Sequence, residues 1–101
     1  MTEERRRNER FPLKLHVKWE GMSGITDAQL DDISVTGCFV NTARHIEVGE
    51  LLKLSIELPS SEWLTVDSEV VSYQQGIGFA INFGPMSAEE RTKLDELLAS
   101  R

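Results

Sequence analysis

Apolar and polar residues alternate over most of the chain, and turn residues break the alternation at short intervals. Leu13, Leu15, Val17 and Trp19 fall on one parity and Lys14, His16 and Lys18 on the other. That is the pattern of a half-buried strand. Glu20-Gly21-Met22-Ser23-Gly24 reads as a turn and Ile25 to Leu30 as a second, weaker strand. From Asp31 to Gly37 polar residues and a glycine interrupt the pattern, so a loop or tight turn is expected there. Cys38-Phe39-Val40 resumes as a short strand. After the Val48-Gly49-Glu50 turn, Leu52, Leu54, Ile56 and Leu58 alternate until Pro59. Ser60-Ser61-Glu62 leads into Leu64, Val66 and a run through Val70 to Tyr73. Gln74-Gln75-Gly76 turns the chain, and Ile77, Phe79, Ile81 and Phe83 form the last strand before Gly84-Pro85. About six strands with short connections and no helix between them favour an antiparallel barrel or sandwich.

The period then changes. Ser87-Ala88-Glu89-Glu90 has the spacing of a capping box, in which the Ser87 hydroxyl accepts from the Glu90 amide while Glu90 reaches back. Leu94, Leu97 and Leu98 share one helical stripe with charges elsewhere, which predicts a helix from about residue 88 to 99.

Composition narrows the class. With 101 residues, the chain has the length of one domain, and residues 11–101 carry all of this patterning. Its lone cysteine, Cys38, has no internal disulfide partner and is expected to be a buried structural residue. His16 and His45 lack metal-ligand spacing. No apolar run reaches membrane-spanning length, and the charged N-terminus is unlike a signal peptide, so a reduced, cytoplasmic protein without membrane insertion is expected. Trp19 and Trp63 read as core or barrel-rim aromatics. No P-loop, nucleophile elbow or zinc-protease motif is present, and the reading is not that of an enzyme.

Charge is unevenly spread. The chain carries a net charge of -6, yet residues 1–20 hold six Lys/Arg against four acids, leaving five against 13 in the remainder. An acidic body argues against general nucleic-acid binding, and a local basic patch suits a small polyanion better than a long one.

The patch centres on Arg5-Arg6-Arg7-Asn8-Glu9-Arg10, which reads RRxxxR. An arginine fork can donate two hydrogen bonds to the O6 and N7 edge of guanine, stack on the base or bind phosphate. By itself the run also fits a solvated basic tail or an RNA-contacting arm. Asp32-Ile33-Ser34-Val35-Thr36-Gly37 reads DxSxxG. Asp32 can accept from the N1–H and N2–H edge of guanine, Ser34 offers a small donor and acceptor, and Gly37 permits close backbone approach or a positive φ. By itself this segment also fits an ordinary turn.

The two motifs in this order resemble the ligand signature of PilZ domains, bacterial receptors for cyclic di-GMP. Glu47-Val48-Gly49-Glu50 with its following strand, and Gly76-Ile77-Gly78-Phe79-Ala80-Ile81-Asn82-Phe83, are also similar to that family. The resemblance implies an all-β fold with a C-terminal helix: a six-stranded antiparallel PilZ-type β-barrel. It implies that Arg5, Arg6 and Arg10 meet guanine edges and phosphates, with Arg7 taking part if the register slips by one. Asp32 and Ser34 would meet a guanine from the barrel face, Gly37 would allow ligand or backbone to approach, and Gly78 matches that face more loosely. Residues 1–10 are then a flexible arm that clamps cyclic di-GMP and changes the surface read by a downstream protein partner, with no other cofactor. Such stand-alone receptors resemble adaptors controlling motility, polysaccharide output or virulence. A PilZ-fold interaction module without nucleotide, and a small RNA-binding barrel, are the alternatives.

Overall fold

The computed structural model describes residues 9–22 and 24–100. The strands are β1 (Phe11–Gly21), β2 (Gly24–Ile33), β3 (Gly37–Asn41), β4 (Leu51–Glu57), β5 (Trp63–Gln74) and β6 (Gly78–Phe83), followed by helix α1 (Ala88–Ala99). They close in the order β1-β2-β3-β6-β5-β4, with β4 returning to β1 and every neighbour antiparallel. This is the expected six-stranded barrel with its C-terminal helix.

Alternation drives the closure. Val17, Trp19, Leu30, Val40, Leu54, Ile56, Leu64, Val66, Val70, Phe79 and Ile81 all point inward and are buried. Each such side chain is worth roughly 1.5–3 kcal/mol of hydrophobic burial. At the centre, the Trp19 and Phe79 rings meet edge to face at 5.0 Å, the geometry that their quadrupoles favour. Helix α1 closes the barrel with Leu94, Leu97 and Leu98. Its capping box is present in full: Glu90 N donates to Ser87 Oγ at 3.1 Å, and Ser87 N donates to Glu90 Oε1 at 2.9 Å.

The interruption at Asp31 is shorter than expected. β2 continues to Ile33, and only Ser34 to Thr36 leave the sheet. The reason is a pair of register shifts. Leu30 faces Val40 and Asp32 faces Phe39, so β2 carries one extra residue against β3. On its other edge, β1 carries an extra residue between Pro12 and Leu15. A bulge resets side-chain parity. Leu30 and Ile33 therefore both point inward, three positions apart, while Asp31 and Asp32 stay half-buried. A similar shift at Val70/Ser72 leaves Val71 exposed. Ile77 departs from the expected strand as well. It ends the turn whose Ile77 N donates to Gln74 O at 3.0 Å, and it is exposed.

Candidate nucleotide site on the barrel face

The two motifs converge. Arg10 lies just before β1 and Asp32 near the end of β2, and Pro12 pairs with Asp32 across the ladder. This register brings Arg10 Nη1 to 2.8 Å from Asp32 Oδ1, across 22 residues of sequence. Both side chains keep contact with solvent, at 42% and 34% exposure. A carboxylate offers about four lone-pair sites and a guanidinium five N–H donors, so one shared hydrogen bond leaves capacity on each. Arg5, Arg6 and Arg7 lie outside the described residues.

Ser34 is turned the other way. It is 1% exposed, and its hydroxyl serves the loop between β2 and β3. Ser34 Oγ accepts from Thr36 N at 3.2 Å and from Gly37 N at 3.3 Å. It lies 3.3 Å from the Gly37 carbonyl and 3.2 Å from Thr36 Oγ1, either of which can take its proton. With the Ser34 N to Gly37 O bond at 2.8 Å, this is a serine-braced turn. Phe83 N donates to Thr36 O at 2.8 Å, and Arg91 of α1 reaches Val35 O at 3.4 Å, so β6 and the helix both hold the turn.

Gly37 is required by packing. A Cβ there would collide with the Ile81 carbonyl oxygen of β6, and its φ lies outside the left-handed region. Close backbone approach, the first of its two expected roles, is the one the barrel uses. Gly78 is similar: a Cβ would strike the Val40 carbonyl and lie 2.9 Å from Phe39 Cε2. The Phe39 ring thus lies over Gly78.

Register shows what surrounds Asp32. Pro12, Asp32, Phe39, Ala80 and Ser72 are successive cross-strand partners from β1 to β5. Phe39 and Ala80 are partly exposed, so the acid stands beside a shelf of one aromatic and one small residue. Nothing in the spacing of the motifs pointed to Phe39. Beside the shelf, Lys14 Nζ lies 3.0 Å and Asn41 Nδ2 3.2 Å from the Asp31 carboxylate. The Lys14 hydrogen bond, with its charge and the Asn41 amide, holds Asp31 below the usual carboxylate value against an opposing effect of burial. Burial pushes the Cys38 thiol up, with smaller and opposite influences from Arg10 and Asp32, and so keeps it protonated and unreactive.

The PilZ domain family model matches residues 4–100. The chain belongs to the PilZ domain family. PilZ-type structures share its fold. The Bacillus subtilis inhibitor of motility, MotI/DgrA, superposes with a TM-score of 0.78 at 18% identity, covering 90% of this chain and 48% of that one. The chain thus spans about half the length of MotI/DgrA. The PilZ domain of CeSA from a cellulose-synthesizing bacterium superposes with a TM-score of 0.73 at 14% identity, covering 91% of this chain and 97% of that one. A comparison with curated protein sequences finds no match. Among the described residues of this PilZ domain, no helix is long and apolar enough to cross a membrane.

Proposed function

We propose that this PilZ domain is a non-catalytic cytoplasmic receptor for cyclic di-GMP that passes the signal to a protein partner. The observation that carries the reading is the 2.8 Å contact between Arg10 and Asp32, which joins the two motifs at one point of the barrel face. Asp32 accepts from the N1–H and N2–H edge of one guanine while Arg10 keeps its hydrogen bond and turns its other donors to phosphate or to the O6 and N7 edge. The Phe39–Ala80 shelf gives the base an apolar surface. Ser34 and Gly37 act by position, the first by bracing the turn and the second by letting β6 approach. Arg5 and Arg6, or Arg6 and Arg7, close over the ligand from the arm. Clamping reshapes the surface around the N-terminus, which a partner reads. The name of MotI/DgrA, an inhibitor of motility, makes a motility component one class of partner to examine.

Calorimetric titration with cyclic di-GMP tests the reading. The unmodified chain binds, and Arg6→Ala, Arg10→Ala and Asp32→Ala each lose about 1–3 kcal/mol of binding free energy. Absence of binding by the unmodified chain removes the receptor reading. Unchanged affinity in all three variants removes the site.

A further inference from the structure

A second surface lies one strand beyond the nucleotide face. It is an open groove of about 720 Å³, bounded by the end of β1 and the turn after it, the start of β4, the middle of β5 and the end of β6. Its apolar lining includes Met22, Leu51, Phe83 and Pro85. Met22 is 91% and Leu51 73% exposed, an unusual degree for residues whose transfer from water is favourable. Ile25, 67% exposed, pairs with Glu20 of the groove wall and extends the apolar area.

The charged lining is lopsided. Glu20, Asp67 and Glu69 face the groove against Lys53, and Lys53 is held 3.2 Å from Asp67. An acidic wall repels nucleotides, phosphates and anionic membrane surfaces and attracts cations. An apolar counterpart gains free energy by covering the exposed methionine and leucine, and a flexible methionine adapts to varied peptide side chains. The chain's own arginine segment meets only half of this: before Phe11, Met1 is its one apolar side chain.

We propose that this groove docks a segment of a partner protein that carries apolar side chains flanked by lysine or arginine. The apolar anchor seats between Met22, Leu51 and Phe83, and the flanking cations pair with Glu20 and Glu69. The inference goes beyond nucleotide binding and stands or falls without it.

The test is an amide NMR titration of the full chain, without nucleotide, against two short synthetic peptides. One has a leucine–phenylalanine pair flanked by lysines and arginines; the other replaces every basic residue by glutamate. The expected result is saturable shifts at Met22, Leu51 and Glu69 with the basic peptide only, weakened by salt. Leu51→Ser and Glu69→Lys each lower the affinity on the order of tenfold, the effect of about 1.4 kcal/mol, and both variants keep the shift dispersion of a folded barrel. Equal response to both peptides, or no saturable response to either, overturns the proposal. So do Leu51 shifts that track protein dilution alone, which would mark a second copy as the occupant. Leu51 shifts produced by replacing Arg5, Arg6 and Arg7 with alanine, before any peptide is added, would mark the chain's own arm and also overturn it.

Discussion

Ser34 and Gly37 belong to the DxSxxG motif, yet both are buried and both hold the turn together. Substitution therefore reads out on stability as well as on binding. Ser34→Ala removes an acceptor of the Thr36 and Gly37 amides, and a buried donor such as the Gly37 amide left unsatisfied costs about 1–3 kcal/mol. Gly37→Ala forces β3 and β6 apart at Ile81, an overpacking cost of about 1–3 kcal/mol. Urea unfolding checks both. Variants that lose nucleotide affinity at unchanged stability would place these residues in direct ligand contact instead. Arg10 and Asp32 differ, because their pair is solvent-exposed and such pairs contribute about 0–1 kcal/mol.

At the scale of elements, the bulged edge of β2 decides what was readable in advance. Alternation marked β4, β6, β1 from Leu15 onward and β5 up to Val70, because a side-chain period of two survives wherever a ladder is regular. It failed at Asp31 because the extra residue moves Ile33 onto the parity of Leu30, and a broken period looks like a loop. The arrangement of the candidate site was legible in part. Residue chemistry pointed to Arg10 and Asp32, but spacing carries no direction, so the inward turn of Ser34 could not be read. Phe39 and the groove were hidden because cross-strand rows join residues far apart in sequence. The bulge also makes a prediction. Asp31 sits below its ordinary carboxylate value in the fold chiefly through the Lys14 hydrogen bond. A carboxylate lowered by folding stabilises the barrel above its unfolded value of about 3.9 and loses that contribution as pH falls through the folded value. Urea unfolding between about pH 6 and about pH 2 should therefore show a steeper acid loss for the unmodified chain than for Lys14→Gln. Parallel curves would mean that the Lys14–Asp31 bridge adds nothing.

Across the whole molecule, stability rests on the barrel core and not on the exposed Arg10–Asp32 pair. Phe79 is fully buried against Trp19, and Phe79→Ala should cost about 3–5 kcal/mol in urea unfolding. Arg10→Ala should cost less than about 1 kcal/mol; a larger loss would make the arginine segment structural. The candidate nucleotide face and the acidic groove are joined through the sheet. Gly37, Asn82, Glu69 and Leu51 are successive cross-strand partners on β3, β6, β5 and β4. This row runs from the end of the DxSxxG turn into the groove, over roughly 14 Å at the usual strand spacing. The Phe83 amide adds a direct tie by donating to Thr36 O in that turn, while Phe83 itself lines the groove. A ligand that shifts or stiffens the turn therefore acts on β6, the strand that forms one groove wall. Binding at the two places should be linked, and linkage is reciprocal, each ligand changing the other's affinity by the same factor, typically about 5–150-fold. The measurement is the affinity of the basic peptide with and without saturating cyclic di-GMP, together with the nucleotide affinity at saturating peptide. Equal factors in the two directions establish the link. Affinities that are unchanged in both directions leave two independent sites on one barrel and exclude β6 as the route between them.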